Sequence, residues 1–214
     1  MILNCSRQAG KSTVSSILCL HEALYYPPAL VLLASPSLRQ SGELFRKVKE
    51  SYAALGSEAV PVAQESALRL ELVNGSRIVC LPGKEASIRG FSAVRLLVVD
   101  EASRVPDELY QAIRPMLAVS GGRLVLLSTP FGRRGFFHHE WAEGGPDWQR
   151  VQIKADQCPR IPKDWLAKER ATIGDWWYRQ EYGCEFVDTT DQVFRYEDVM
   201  GALDPSVKPL FGGL

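Results

Sequence analysis

Gly10-Lys11-Ser12 falls between a short apolar segment, Ile2–Asn4, and a helical stretch from about Lys11 to Tyr25 that Pro27-Pro28 stops. Few short patterns restrict a fold as strongly. At the opening of a helix, this tripeptide gathers backbone N–H groups, an ammonium and a hydroxyl around one point, a combination that suits phosphate oxygens and Mg²⁺. Cys5–Ser12 is therefore expected to be a Walker A phosphate loop. Ser6, Arg7, Gln8, Ala9, Gly10, Lys11, Ser12 and Thr13 would lie at the nucleotide, with Ser12 on the metal. The usual loop has glycine where this chain has Cys5, because the first turn often needs glycine's backbone freedom. The rival reading is a surface turn capped by Ser12, which the strand–loop–helix context disfavours.

Leu96-Leu97-Val98-Val99 is an apolar strand that ends in Asp100-Glu101. Carboxylates at the C-terminal edge of a parallel sheet face the place where ligands bind. Asp100 is expected to serve Mg²⁺, and Glu101 to orient or deprotonate the attacking water. Leu124–Leu127 repeats the design with Ser128-Thr129 at its end, where hydroxyls could sense the γ-phosphate. The plain alternatives are solvated acids at a strand end and an ordinary turn before Pro130.

The remaining text alternates short apolar strands with amphipathic helices. Ala29–Ala34 reads as a strand buried on both faces, followed by a helix to about Leu55. Leu68–Val73 and Arg77–Leu81 flank Asn74-Gly75, a hairpin signal. A helix is expected near Asp107–Leu117. The fold class implied is α/β, a P-loop NTPase of the RecA-like (ASCE) type with a mainly parallel sheet flanked by helices. We expect the core to span 1–135 and a small lid, richer in Trp and charge, to span 136–190. The lid's helices fall near Pro162–Ile173 and Asp175–Gly183, and 191–214 reads as a linker.

Composition excludes some classes of function. Lys and Arg total 25, as do Asp and Glu, so attraction to nucleic acid would need a local basic patch. Arg133-Arg134, among Phe136-Phe137, His138-His139 and Trp141, is one candidate for DNA contact. The adjacent histidines are a weak metal signal, and a helix packed by Phe and Trp is the better reading. Five scattered cysteines suit reduced thiols. No apolar run is long enough to span a bilayer and no signal peptide is evident, so no membrane partner is expected.

Taken in order, these elements resemble the ATPase domain of viral large terminase subunits, the DNA-packaging motors of tailed bacteriophages. The resemblance rests on Cys5–Thr13, Ile88-Arg89-Gly90, Val98–Ala102, Leu127–Pro130 and Trp177–Phe186, and covers about Met1 to Asp188. That family's loop often lacks the first glycine and carries arginine at the position of Arg7. The resemblance implies Mg²⁺-dependent ATP hydrolysis that drives double-stranded DNA into a procapsid. It implies a ring of subunits at the portal protein, a small terminase subunit as partner, and action in the host cytoplasm. Arg7 would touch the γ-phosphate in cis, Arg89 would be the trans-acting arginine finger with Arg95 as its rival, and Ser128-Thr129 would couple hydrolysis to movement. Family members usually clamp adenine with a glutamine-bearing segment upstream of the first strand, so here that segment is either missing or replaced by lid residues. Phe211–Leu214 resembles the start of the family's nuclease domain, so this chain is expected to be an ATPase portion without nuclease activity. A two-domain helicase and a non-catalytic nucleotide-binding module remain as alternatives.

Overall fold

The structure is a computed structural model that describes residues 1–81, 90–188 and 196–203. Eight strands form one sheet in the order β3-β4-β5-β2-β6-β7-β1-β8. They are β1 (Ile2–Cys5), β2 (Leu30–Ala34), β3 (Val62–Glu65), β4 (Arg69–Leu72), β5 (Arg77–Cys80), β6 (Leu96–Asp100), β7 (Arg123–Ser128) and β8 (Arg150–Ile153). From β5 to β8 all neighbours are parallel, while β4 and β3 add an antiparallel edge. The expected α/β class and mainly parallel sheet are therefore observed.

Helices cover both faces of the sheet. The central strands β2 and β6 are buried along their whole length, and their side chains alternate between two apolar clusters. On one face Val31, Leu33, Leu96 and Val98 meet Cys19 and Leu20 of α1 (Lys11–Tyr25) and Leu44, Phe45 and Val48 of α2 (Leu38–Ala53). On the other, Leu32, Leu97 and Val99 meet Leu109 and Ile113 of α3 (Asp107–Ile113) and Phe136 and Phe137 of α4 (Gly135–Ala142). Ser37 caps α2 by accepting a hydrogen bond from the Gln40 N–H. The Asn74-Gly75 turn joins β4 to β5 as expected, with Gly75 at φ 82°. The helix expected to reach Leu117 ends as α-helix at Ile113. Beyond it Arg114–Leu117 tightens into a 3₁₀ turn, since Pro115 has no N–H to continue the ladder.

After β8 the chain forms a short 3₁₀ turn (Ala155–Gln157), α5 (Lys163–Ile173), α6 (Asp175–Glu181) and, further on, α7 (Tyr196–Gly201). The strand β8 pairs with β1, and Phe136 and Phe137 lie in the core. Sheet and core thus continue past Gly135, where the core was expected to end. The return segment is fastened to the core: the Asn4 side-chain amide donates to the Cys184 carbonyl at 2.9 Å, and the Ala155 N–H to Tyr182 O. Among the described residues all five cysteines are buried and free. No helix there is long and apolar enough to cross a membrane.

Candidate active site

The missing glycine has a structural reason. Cys5 is the last residue of β1, paired with Ile153 and buried, so the position is extended strand and needs no positive φ. The loop turns later, at Gln8 (φ 61°) and Gly10 (φ 88°). Gly10 starts α1 with no side chain capping it, and the Thr13 and Val14 N–H groups bond Gly10 O at 3.1 Å. The Lys11 ammonium folds back onto its own loop, donating to Cys5 O (3.1 Å), Ser6 O (3.0 Å) and Thr129 Oγ1 (3.1 Å). These three oxygens match the three donors of the ammonium.

Strand order brings the two halves of the site together. β1 carries the loop, β6 the acids, and β7 lies between them. Asp100 is buried at the end of β6 and accepts a hydrogen bond from the Glu101 N–H at 3.0 Å. Burial, then the Glu101 charge, raises its pKa to about 6, against the opposing pull of that N–H and of Lys11. Glu101 itself has a left-handed backbone (φ 50°, ψ 41°), which is costly for a non-glycine residue. At the end of β7, Ser128 is fully buried and its hydroxyl lies 2.7 Å from Ser103 Oγ, while Ser103 also donates to Thr129 O at 2.8 Å. One chain of contacts thus runs from Lys11 through Thr129 to the turn that follows Glu101.

The loop borders a cavity of about 430 Å³ that also involves Gln40, Glu101 and several residues the sequence did not single out. Five basic side chains line it (Arg7, Lys11, Lys47, Arg104 and Arg160) against one carboxylate, Glu101. That balance makes a local anion site in a chain with no net charge. Lys47 comes from α2, Arg104 from the 3₁₀ turn Ala102–Arg104, and Arg160 from the segment after β8. Glu181, buried in α6, accepts from Arg7 Nε at 2.5 Å and lies 3.6 Å from Arg104. These residues are isolated charges in the sequence, and only the fold makes them converge.

Other candidates lie elsewhere. Arg89 is outside the described residues. Arg95 binds the buried Glu22 at 2.8 Å and sits 4.2 Å over the Tyr26 ring. Arg133 donates to Phe186 O and lies 3.8 Å from Asp188, so it fastens the return segment, while Arg134 stacks on Phe131 at 4.6 Å. His138 packs edge-on against Phe186, and among the described residues no cluster of three or more His, Cys, Asp or Glu is placed to hold a metal. Packing is the role the structure gives that histidine.

The family profile described as terminase large subunit, T4likevirus-type, N-terminal, matches residues 2–200. The chain belongs to this terminase family. The large terminase subunit of Thermus phage G20c is 28% identical over 229 aligned positions, which cover 91% of this chain and 47% of the phage protein. The chain thus spans about half the length of the curated terminases it matches. The large terminase ATPase domain of Thermus phage P74-26 superposes with a TM-score of 0.77 at 25% identity, covering 87% of this chain and 88% of that domain. The large terminase of a thermophilic bacteriophage, solved in complex with ADP, shares the fold with a TM-score of 0.70 at 18% identity, over 87% of this chain and 48% of that one. The terminase resemblance read from the loop, the acidic pair and the Trp177–Phe186 segment is confirmed.

Proposed function

We propose that this terminase domain binds ATP at the Arg7–Thr13 loop and hydrolyses it with Glu101 as the group that orients and activates water. The observation that carries the reading is the convergence, in one cavity, of five cations and the strained Glu101. Loop N–H groups and Lys11 would bind the β- and γ-phosphates, and Arg7 would approach the γ-phosphate from its own subunit. Lys11 would exchange Cys5 O and Ser6 O for phosphate oxygens while Thr129 Oγ1 remains beside it, so Ser128 and Thr129 would register the change. Arg89 would act in trans on a neighbouring subunit's site.

Ser12 and Asp100 would hold Mg²⁺. They fit it: one hydroxyl and one carboxylate, with phosphate and water oxygens, form the all-oxygen set this ion takes. Burial and the neighbouring Glu101 charge disfavour the ionised Asp100 carboxylate, and a cation at that position would offset both. The ion would supply charge neutralisation at the bridging phosphates.

In the whole terminase, turnover would drive double-stranded DNA through the portal protein into a procapsid in the host cytoplasm. The domain would work in a ring, with a small subunit selecting the DNA. Residues after Ile153 would serve as a lid over the loop. The test is phosphate release by wild type and Glu101→Gln. We expect ATP binding to persist in the variant and turnover to fall by about a hundredfold or more. Turnover that survives the substitution would overturn Glu101's role, and its absence in both proteins at high concentration would favour a non-catalytic assembly module.

A further inference from the structure

Two cations share one aromatic ring at the same end of the sheet as the phosphate cavity. The Phe131 ring carries the Arg104 guanidinium at 4.1 Å and the Arg134 guanidinium at 4.6 Å. With the start of α3 they border a hollow of about 410 Å³, lined on its apolar side by Val105, Pro106 and Phe131. Its one carboxylate, Asp107, is engaged, since it accepts from the Phe136 N–H at 2.8 Å. Arg134 is exposed, and among the described residues it pairs with no carboxylate. The loop that presents it is fixed at both ends, by that bond to Asp107 and by the Gly132 N–H donating to Gln180 Oε1 at 3.2 Å.

Resting on the reading of this domain as part of a motor that moves double-stranded DNA, we infer that the Arg104–Phe131–Arg134 hollow receives the phosphodiester backbone of the duplex. Apolar walls rimmed by guanidiniums match an alternating sugar–phosphate chain, and contacts to that chain carry no base sequence. A translocating motor needs such indifference. Arg104 alone lines both this hollow and the phosphate cavity, so Arg134 places its charge outside the nucleotide site. In a chain with no net charge, a local pair of cations of this kind is what an attraction to DNA requires. Stacking on Phe131 orients the guanidiniums before a ligand arrives, so less side-chain freedom is lost on binding. Arg104 also lies 3.6 Å from Glu181, which makes the hollow continuous with the groups around the phosphate loop.

Fluorescence anisotropy of a labelled duplex of arbitrary sequence, titrated at several salt concentrations, would compare wild type, Arg134→Ala and Arg134→Lys. Calorimetry with inorganic tripolyphosphate serves as the control for the nucleotide site. Loss of one phosphate contact predicts duplex affinity several-fold lower in Arg134→Ala and a salt slope shallower by about one, with tripolyphosphate affinity kept within about twofold. Arg134→Lys keeps the charge, so its salt slope should match that of wild type. Unchanged duplex affinity and slope in Arg134→Ala would overturn the assignment and leave the motor reading standing. Parallel loss of tripolyphosphate binding in Arg134→Ala would also overturn it, because the effect would then belong to the fold. Altered self-association with duplex binding intact would assign the hollow to a second copy of this chain instead. A wild type that binds no duplex even at low salt would count against the DNA-motor reading and this inference together.

Discussion

Arg7 Nε lies 2.5 Å from Glu181 Oε2, so the loop's own arginine is paired with a carboxylate from α6. Arg7 is 61% exposed on its side chain, whereas Glu181 is only 10% exposed, and the same carboxylate also attracts Arg104. With phosphate bound as proposed, Glu181 would compete with it for both cations. Glu181→Gln should tighten tripolyphosphate binding several-fold, as measured by calorimetry. The accompanying loss of stability should stay within about 1 kcal/mol, because the arginine partner is largely solvated. Weaker binding in this variant would show that Glu181 positions Arg7 for the ligand instead of withholding it.

The buried Asp100 predicts a pH dependence of stability. Its acid form is favoured in the folded protein, from an ordinary value near 3.8 to about 6. A carboxyl raised in this way contributes most to stability below pH 4 and loses that contribution as pH rises through 6. Ionised Asp100 should cost the folded protein about 3 kcal/mol. Asp100→Asn, which keeps an acceptor for the Glu101 N–H, should melt higher than wild type at pH 8. The gap should shrink as pH falls toward 4 in thermal unfolding, and a gap that is constant with pH would contradict the assignment.

Gly10 combines φ 88° with close approach of Arg160. Gly10→Ala should destabilise the domain by about 1 kcal/mol in urea unfolding, since a side chain there is strained whatever space is made. It should also weaken tripolyphosphate binding, because the loop N–H groups would be displaced. A fully stable variant with unchanged affinity would mean that the loop rearranges freely.

Ser103 is the partner that satisfies the buried Ser128 hydroxyl. Ser103→Ala should therefore cost about 1–2 kcal/mol by leaving that hydroxyl unpaired. Adding Ser128→Ala should cost little more than the single change, and a double-mutant cycle measures the coupling directly.

The trans role proposed for Arg89 makes turnover depend on assembly. Phosphate release per subunit should rise with protein concentration. Mixing Arg89→Ala with Lys11→Ala should restore part of the activity that each lacks alone, whereas a cis arginine predicts no rescue.

Much of this architecture was legible in the sequence because it rests on local chemistry. The Gly10-Lys11-Ser12 helix start, the apolar strand ending in Asp100-Glu101 and the Asn74-Gly75 hairpin each follow from short-range rules. Two strands escaped. The edge strand β3 is exposed along all four residues and so shows no buried alternation, and Arg150–Ile153 is a four-residue segment whose place is set only by pairing with β1. The same limit hid Lys47, Arg104, Arg160 and Glu181. Each is one charged residue on a different element, and nothing local signals that they meet. Strand order is likewise a tertiary outcome, so the insertion of β7 between loop and acids could not be read from spacing.

That insertion has a mechanical meaning. One end of a stiff, doubly packed strand is tethered on one side to Lys11 and on the other to the turn that follows Glu101. Neither flank can move independently of the other without stretching a hydrogen bond to Thr129 or Ser128. The domain thus behaves like a three-plank joint with the pin in the middle plank. In the proposed coupling role, force generated at one side would be handed across through that pin, with two hydroxyl groups setting how much play the joint has.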